Sequence, residues 1–315
     1  MKINRTLIIT AAALVSMAAL IVFRTGNFSP GNGAMVPAAQ GERPSRIISM
    51  APSITEVLFA IGAGSQVAGV TRYCDYPPQV NDRPKVGGYL DPSYESILAL
   101  QPDLIVILTE QEDPAGKMLR ELGLKVIAVE HRDLDGILVS IGMIGAAAGR
   151  IHEADSLLDR LNAGMDSLRT KLDGQPRPGV LVVLGRNLAA GDLSNTYIAG
   201  ADGYYNDLVE LAGGANSYRG RTIAFPAVSA EGLHQLSPNV IIEVIPNLGQ
   251  TGIDSRSYEQ AWRELPGLDS VTGDDIHVFI TDYAVRPGPR FILLARDMAR
   301  AIHPEIGWQK DNRTD

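Results

Sequence analysis

The sequence predicts an α/β protein of two Rossmann-like lobes, each with a central parallel sheet, joined by one long interdomain helix. Three observations lead to this prediction. Short apolar runs alternate with helical stretches in both halves of the chain, as expected when helices cover a parallel sheet. A long amphipathic segment separates the two halves, and a stretch of the first half recurs in the second.

The composition is that of a folded protein outside the nucleic-acid-binding classes. The chain has 315 residues, of which 45% are hydrophobic and 20% charged, so each of two domains has apolar residues for a core. A net charge of -8 offers no cationic face to nucleic acid, which is therefore not an expected partner. Cys74 is the single cysteine, and the five histidines lack the close spacing of zinc ligands, so we expect no metal site and no cofactor.

Residues 1–43 are predicted to be a signal peptide or an N-terminal membrane anchor followed by a flexible tether. Lys2 and Arg5 precede an apolar run over residues 6–23, whose length suits either the core of an export signal or a short membrane-spanning helix. Residues 26–42 are rich in Gly, Pro, Ala and Asn without apolar periodicity, which is typical of a tether. Under both interpretations the protein is exported, and its body is periplasmic or anchored on the outer side of the cytoplasmic membrane.

Residues 44–133 are predicted to form the N-terminal α/β lobe. Four apolar runs are separated by helical stretches, and the first of these helices ends at the glycines of residues 62–64. The predicted strands cover residues 47–50, 67–70, 104–108 and 126–129, and the predicted helices cover residues 53–61, 92–100 and 115–122.

Residues 134–174 are predicted to form a single interlobe helix. Apolar residues recur every three or four positions through this segment, which is the pattern of an amphipathic helix. At 1.5 Å per residue such a helix extends roughly 55 Å, more than one small lobe requires. Three glycines on one face, Gly142, Gly145 and Gly149, indicate close helix packing rather than a functional site.

Residues 175–315 are predicted to form the C-terminal α/β lobe, because the alternation of apolar runs and helical stretches resumes after the proline-containing break at residues 175–178. The predicted strands cover residues 180–184, 240–244 and 277–280, and the predicted helices cover residues 205–212, 231–236 and 290–302.

An internal repeat relates the two lobes. Residues 93–107 align with residues 229–243 without gaps, and five aligned pairs are identical, among them Glu95 with Glu231. The repeated unit comprises a helix, a proline turn and a strand. Two related lobes that face each other leave a cleft, and small ligands bind preferentially between domains.

The loops that follow the predicted strands carry aromatic and charged side chains. In a parallel α/β sheet such loops line the ligand crevice. Flat apolar rings together with a few charges suit a large, partly apolar ligand with polar edges. The predicted ligand-binding residues are Tyr73, Asp75, Tyr89, Tyr197, Phe225, Asp282, Tyr283 and Arg286.

The sequence contains no convincing enzyme motif. The glycines at 62, 64 and 69 follow a helix instead of joining a strand to a helix N-terminus, so they lack the geometry of a phosphate-binding loop. No Gly-x-Ser-x-Gly elbow is present, and Cys74 has no histidine base that the sequence identifies. We therefore predict no catalytic residue and no enzymatic activity.

Glu95 and Glu231 lie in the first turn of equivalent predicted helices. A carboxylate in this position stabilises a helix through the helix dipole. Alternatively, the two glutamates are exposed anions, one on each lobe, that dock on cationic sites of a partner. Their positions on separate lobes argue against a shared catalytic role.

Six motifs carry a resemblance to a known family. They are Ile-Ser-Met-Ala-Pro-Ser-Ile-Thr-Glu at 48–56, Tyr-Cys-Asp-Tyr-Pro-Pro at 73–78, Lys-Val-Gly-Gly-Tyr at 85–89, the segment from Glu95 through Leu-Gln-Pro-Asp-Leu at 100–104, Leu-Ala-Gly-Gly-Ala-Asn at 211–216 and Val-Ser-Ala-Glu-Gly-Leu at 228–233. Through them residues 46–302 resemble the class III periplasmic binding proteins, which include cobalamin-, ferric-siderophore- and haem-binding members. The resemblance implies a rigid helix between the lobes, limited closure and a membrane permease as partner.

The resemblance also implies roles for single residues. Glu95 and Glu231 match the glutamates that pair with arginines of the ABC permease. Tyr73, Tyr89 and Phe225 match aromatic positions that border the corrin ring in cobalamin binders. The chain has Tyr and Phe where such a receptor often has Trp, and its arginines suit an anionic ferric siderophore equally.

The sequence therefore predicts a monomeric, non-enzymatic substrate-binding protein of an ABC importer. It would capture a metal chelate, either cobalamin or another corrinoid or a ferric siderophore, and deliver it to a membrane permease. The alternatives are a haem-binding member of the same family, an extracytoplasmic enzyme, or an anchored sensory module that uses the same cleft.

Overall fold

The computed structural model describes residues 43–186, 193, 196–220, 224–245, 260, 262–263, 271 and 275–308. Residues 43–315 form one compact unit, separate from residues 1–42. The apolar run at residues 6–23 lies outside the described residues. Within the described part of the chain, no helix is long and apolar enough to cross a membrane.

The first lobe is built on a sheet of four parallel strands. The strands are β1 Ile47–Ser49, β2 Val67–Val70, β3 Leu104–Leu108 and β4 Val126–Val129. Their order in the sheet is β2-β1-β3-β4, and every neighbouring pair is parallel. These four strands confirm the prediction. Short apolar runs bounded by turn residues are typical of buried strands.

Helices cover both faces of this sheet. They are α1 Pro52–Ala60, α2 Tyr94–Ala99 and α3 Lys117–Glu121. Successive strand residues point to opposite faces. Ile47 and Val106 therefore pack in one core with Leu58 of α1, whereas Ile105 packs in another with Ile97 of α2.

The single helix predicted over residues 134–174 is wrong in one respect, because the structure has two helices there. They are α4 Leu134–Ala148 and α5 Ile151–Leu172. Gly149 adopts a left-handed conformation with φ +67° and ends α4, and the Arg150 N–H donates to the Gly145 carbonyl at 2.7 Å. Gly145 also allows α5 to approach, since a Cβ there would lie 2.3 Å from the Cβ of Ala154. The glycines in the apolar pattern thus mark a break between two packed helices.

Helix α5 joins the two lobes. Its 22 residues extend about 33 Å. The apolar core is continuous along it, since Leu161 and Leu168 of α5 pack in the same cluster as Leu58 of the first lobe and Val182 and Phe291 of the second. The predicted long interdomain helix is therefore confirmed as α5.

The second lobe is built on a mixed sheet. Its strands are β5 Gly179–Gly185, β6 Thr196–Ile198, β7 Ala215–Asn216, β8 Ala227–Val228, β9 Val240–Val244 and β10 Ile276–Phe279. The order is β10-β9-β5-β6-β8, with β7 beside β5. The predicted strands β10, β9 and β5 are parallel, as is β7, which was not predicted. Strands β6 and β8, also not predicted, are antiparallel to their neighbours. Only residues 186–195 separate β5 from β6, and a parallel crossover needs about a dozen residues or more.

Three helices of this lobe lie wholly within the described residues. They are α6 Tyr204–Leu211, α7 Ala230–Leu236 and α8 Phe291–Ile302. In both copies of the internal repeat a helix precedes a strand: α2 precedes β3 in the first lobe, and α7 precedes β9 in the second. Both helices begin after a serine whose Oγ accepts the N–H three residues ahead, at 3.2 Å in each case, which is the usual N-cap arrangement.

Candidate ligand-binding site

A cavity of about 410 Å³ lies between the two lobes. Its walls come from the N-terminal end of α1 and from loops at the carboxyl ends of strands in both sheets, the position in which α/β sheets bind ligands. The lining residues are Ala51, Pro52, Ser53, Tyr89, Leu108, Glu110, His131, Arg132, Ala199, Asp202, Gly203, Tyr204, Tyr205, Ala224, Phe225, Val285, Arg286 and Pro287.

Four aromatic residues, Tyr89, Tyr204, Tyr205 and Phe225, give the cavity much of its apolar surface. The rings of Tyr204 and Tyr205 pack edge to face with centroids 5.1 Å apart, and the Tyr205 hydroxyl donates to the Ala284 carbonyl at 2.9 Å. Burial raises the pKa of both tyrosines, so their hydroxyls stay protonated. Phe225 is 55% exposed, and much of its ring is therefore available to a ligand.

Tyr89 is held by a turn whose backbone is fixed from two sides. Gly87 adopts a φ of +97°, which glycine tolerates without steric cost, and it pairs with Pro92. The Gln111 amide donates to the Tyr89 carbonyl at 2.9 Å and to the Met50 carbonyl at 3.0 Å. Burial raises the pKa of Tyr89, so this residue also presents a neutral hydroxyl.

His131 is a buried residue of the cavity wall. Its Nδ1 lies 2.9 Å from the Ser53 Oγ and its Nε2 lies 2.6 Å from the Ser140 Oγ. Burial lowers the pKa of His131 to about 4, so the imidazole is neutral at physiological pH. Both ring nitrogens have partners, and neither is directed to a metal in this arrangement.

Arg286 lines the cavity and carries an ion pair between the lobes. Its Nη1 and Nη2 lie 2.5 Å and 2.8 Å from the two carboxylate oxygens of Asp75. Its Nη1 also donates to Asp282 at 2.9 Å. Burial acts to lower the pKa of Arg286, but the neighbouring carboxylates outweigh burial and raise the pKa.

Arg290 forms a second, more deeply buried ion pair between the lobes. Its Nε and Nη2 donate to the two carboxylate oxygens of Glu56 at 2.8 Å and 2.5 Å, and Nη1 and Nη2 donate to Asp282 at 3.0 Å and 2.7 Å. The ring of Tyr76 lies 3.8 Å from the guanidinium carbon, within cation–π range. Burial raises the pKa of Glu56, although the hydrogen bond from Arg290 acts to lower it.

The structure brings several of the predicted ligand-binding residues together. Tyr89, Phe225 and Arg286 line the cavity. Asp75 and Asp282 do not line it, but both contact the Arg286 guanidinium. These five residues therefore form one region at the junction of the lobes.

The remaining predicted residues lie elsewhere. Tyr73 and Tyr197 are outside the cavity lining and are 53% and 52% exposed. Tyr283 is buried in the apolar core, and its hydroxyl donates to Asp297 of α8 at 2.6 Å. Its side chain thus contacts α8 instead of facing the cavity.

Sequence reasoning missed four residues of this region: Glu56, Tyr204, Tyr205 and Arg290. The two tyrosines follow a glycine after β6, a strand too short to be recognised. Glu56 ends one of the motifs that carry the family resemblance, but its partner Arg290 is 234 positions away. A pair at that separation becomes visible only in the folded chain.

Glu95 and Glu231 occupy the same place in the two repeated helices. The N-cap oxygen of each helix comes from Ser93 or Ser229, so neither glutamate is needed as a cap. Both glutamates are exposed. One carboxylate on each lobe is therefore available to a partner.

The described residues contain no group of three or more His, Cys, Asp or Glu side chains placed to hold a metal ion. Cys74 is buried, with its Sγ 3.2 Å from the Thr55 hydroxyl and 3.1 Å from the Thr71 hydroxyl. Burial raises the pKa of the Cys74 thiol, whereas a nucleophilic cysteine needs a lowered pKa.

Comparisons with known proteins agree with this architecture. A family model described as periplasmic binding protein matches residues 47–261. An uncharacterized ABC transporter substrate-binding lipoprotein, YvrC, of Bacillus subtilis strain 168 is 24% identical over 273 residues, covering 84% of this chain and 82% of the relative. A vitamin B12-binding protein of Pectobacterium carotovorum is 24% identical over 271 residues, covering 86% and 92%.

Among solved structures, a possible iron-binding, periplasmic solute-binding protein from Staphylococcus epidermidis has 25% identity and a TM-score of 0.69. The match covers 83% of this chain and 100% of that structure.

Proposed function

The chain belongs to the periplasmic binding protein family, and we propose that it captures a metal chelate between its lobes as the substrate-binding component of an ABC importer. The observation that carries this proposal is a cavity whose aromatic and charged walls come from both lobes. The protein works outside the cytoplasm, in the periplasm or anchored on the outer side of the cytoplasmic membrane. It passes its ligand to a permease in that membrane.

The proposed ligand is a corrinoid such as cobalamin or a ferric siderophore. Aromatic faces contact the apolar parts of such a chelate, and a few polar groups orient its edges. The cavity of about 410 Å³ is near the lower end of the usual range for ligand sites, so a large chelate requires the lobes to separate further. Relatives described as binding vitamin B12 or iron support this class of ligand.

The contacts that we propose come mainly from Tyr89, Phe225 and Arg286. The two rings provide apolar faces from opposite lobes, and Arg286 provides a cation at the cavity edge. Tyr73 and Tyr197, which are exposed outside the lining, are proposed to contact a ligand that extends beyond the cavity. Asp75 and Asp282 act through Arg286, and Tyr283 supports the loop that carries Arg286.

Haem is the less favoured ligand. A haem iron needs an axial side chain, and His131 would be a candidate for that role by its place in the wall. Its two ring nitrogens are instead bonded to Ser53 and Ser140. Ligation would therefore require this buried arrangement to break.

Glu95 and Glu231 are proposed as the docking groups for the permease. They are exposed, belong to equivalent helix N-termini and lie on different lobes. Paired in this way they can contact two cationic sites at a separation set by the lobes. Neither residue lines the cavity, so docking and ligand binding use different surfaces.

We further propose that the protein is a monomer without catalytic activity and without affinity for nucleic acid. The buried Cys74 thiol has a raised pKa, and the chain has a net charge of -8. The first property opposes nucleophilic catalysis, and the second opposes binding to phosphate backbones.

Ligand binding is tested by thermal shift and absorbance titration with cyanocobalamin, ferric siderophores and haem. We expect a corrinoid or a ferric siderophore to stabilise the protein, and Tyr89→Ala and Phe225→Ala to weaken its binding at least about tenfold, the loss of about 1.4 kcal/mol. Tyr94→Ala is the control, because this aromatic residue packs on the first sheet away from the cavity. The absence of stabilisation by every chelate would contradict the proposal.

Docking is tested with the permease reconstituted in vesicles. The double variant Glu95→Gln, Glu231→Gln should lose stimulation of ATP hydrolysis and keep its ligand affinity. The double variant Glu121→Gln, Glu210→Gln is the matched control, since these residues are exposed and lie one on each lobe. Loss of ligand affinity in the first variant would argue against a pure docking role.

A further inference from the structure

Asp75 is bound to Arg286, which with Arg132 is one of the arginines that line the cavity. Both terminal nitrogens of Arg286 are engaged by its two carboxylate oxygens at 2.5 Å and 2.8 Å, in the bidentate geometry that arginine uses for carboxylates. The other acidic groups near Arg286 are Asp282 at 2.9 Å and Glu56 at 3.9 Å. An anionic ligand that approaches Arg286 therefore meets a site already filled by carboxylates.

The formal charge of this cluster also opposes an anionic ligand. The three carboxylates of Glu56, Asp75 and Asp282 outnumber the two guanidinium groups of Arg286 and Arg290. The region is therefore net negative while Asp75 stays in place. Displacement of Asp75 removes one negative charge and frees Nη2 of Arg286, while Nη1 keeps its bond to Asp282.

Asp75 is the carboxylate of this cluster that leaves most easily. Its side chain is 59% exposed, whereas that of Glu56 is 2% exposed. An exposed carboxylate that loses its partner returns to water at little cost. A buried carboxylate that loses its partner becomes an unpaired buried charge, which is strongly unfavourable.

We infer that Asp75 is a specificity-determining residue that competes with anionic groups of the ligand for Arg286. The inference rests on the proposed function of the cavity. A ligand with a charged oxygen at this edge must displace Asp75, which reduces its net gain from Arg286. A neutral chelate leaves the Asp75–Arg286 pair intact and binds without this competition.

The inference is tested with two ferric chelates of similar size, a trianionic tris-catecholate and a neutral tris-hydroxamate. Asp75→Ala should raise the affinity for the tris-catecholate about tenfold, as expected when a charge-assisted hydrogen bond becomes available. The affinity for the tris-hydroxamate should change by less than about twofold. Asp91→Ala is the matched control, because Asp91 pairs with Arg72 within the first lobe and is 65% exposed. It should alter neither affinity.

A second measurement does not depend on the ligand. Phenylglyoxal modifies accessible guanidinium groups, and mass spectrometry resolves the modified positions. Asp75→Ala should accelerate modification of Arg286 several-fold and leave Arg290 unchanged. Arg290 is an internal control, since its side chain is 13% exposed against 14% for Arg286.

The outcomes separate this inference from the proposed function. Equal changes in affinity for both chelates, or a weaker tris-catecholate complex in Asp75→Ala, would overturn the competition. So would an unchanged rate of Arg286 modification. If neither these nor other chelates bind the native protein but Arg286 modification accelerates, the chelate proposal fails and the occupation of Arg286 by Asp75 stands.

Discussion

Arg286 and Arg290 lie four residues apart and join the lobes through ion pairs of the same chemistry but different burial. Arg290 holds Glu56, whose side chain is almost fully buried, and Arg286 holds Asp75, which is mostly exposed. Solvent weakens an exposed pair and makes it exchangeable, whereas a buried pair is costly to break. Arg290 therefore stabilises the lobe junction, whereas the pair that Arg286 forms with Asp75 at the cavity edge is exchangeable.

The largest expected effect comes from breaking the buried pair. Arg290→Met should lower the free energy of unfolding by about 3 kcal/mol, because Glu56 would remain buried without its hydrogen-bonded cation, with Arg286 still 3.9 Å away. Urea denaturation at pH 7.5 measures this loss. Arg72→Met is the control, since its pair with Asp91 is exposed and should contribute less than about 1 kcal/mol. Equal losses in the two variants would contradict the distinction by burial.

The pH dependence of the free energy of unfolding tests the contribution of His131, which is buried in the wall of the cavity. Its pKa is about 4 in the fold, against 6.5 as the ordinary value. The unfolded chain thus binds a proton more readily, and the stability from neutral His131 is complete above pH 6.5 and is lost as the pH falls toward 4. Between pH 7.5 and pH 5 we expect a loss of about 2 kcal/mol.

Thermal and urea unfolding across this pH range measure the His131 effect. The variant His131→Gln should be less stable at pH 7.5 and should have a flatter profile, because glutamine does not titrate. A profile as steep as that of the native protein would assign the pH dependence to other groups.

Removal of the exposed pair should affect stability far less. Asp75→Ala is expected to change the free energy of unfolding by less than about 1 kcal/mol, because solvent already screens this pair. Urea denaturation beside Arg290→Met gives the comparison directly. A loss as large as that in Arg290→Met would mean that both pairs stabilise the junction.

Changes in ionic strength give the smallest expected effect and distinguish the exposed pair from the buried pair. Raising NaCl from about 0.05 M to about 0.5 M should remove the small difference in stability between the native protein and Asp75→Ala, because salt screens exposed charges. The deficit of Arg290→Met should persist, since buried pairs are screened much less. A deficit that disappears with salt would place Glu56 and Arg290 in contact with solvent.

The repeated helices were the most predictable part of the candidate docking surface. The spacing Ser-x-Glu recurs at Ser93 and Ser229, and in both copies the serine caps the helix while the glutamate stays exposed. Local chemistry decides this geometry, because a capping side chain bonds to a backbone group only three residues away. Helix, turn and strand could therefore be predicted together from the repeat.

In the interlobe segment, apolar periodicity alone did not predict where a helix ends. Apolar spacing continues through residues 134–172, yet the left-handed Gly149 ends α4 and the packing of Gly145 on Ala154 fixes the break. A glycine within an apolar pattern is compatible with a continuous helix or with its end. Whether the helix continues or ends at Gly149 depended on how α4 and α5 pack against each other.

Local sequence patterns were enough to predict the alternation of strands and helices, the relation between the lobes, and the positions of Tyr89 and Phe225 in loops after strands. These features follow from interactions over a few residues and from burial patterns that recur locally. The pairing of carboxylates with arginines could be read only from the folded chain. Glu56 and Asp75 reach Arg290 and Arg286 across 234 and 211 positions, and such contacts depend on how the lobes are oriented, a property that no local pattern encodes.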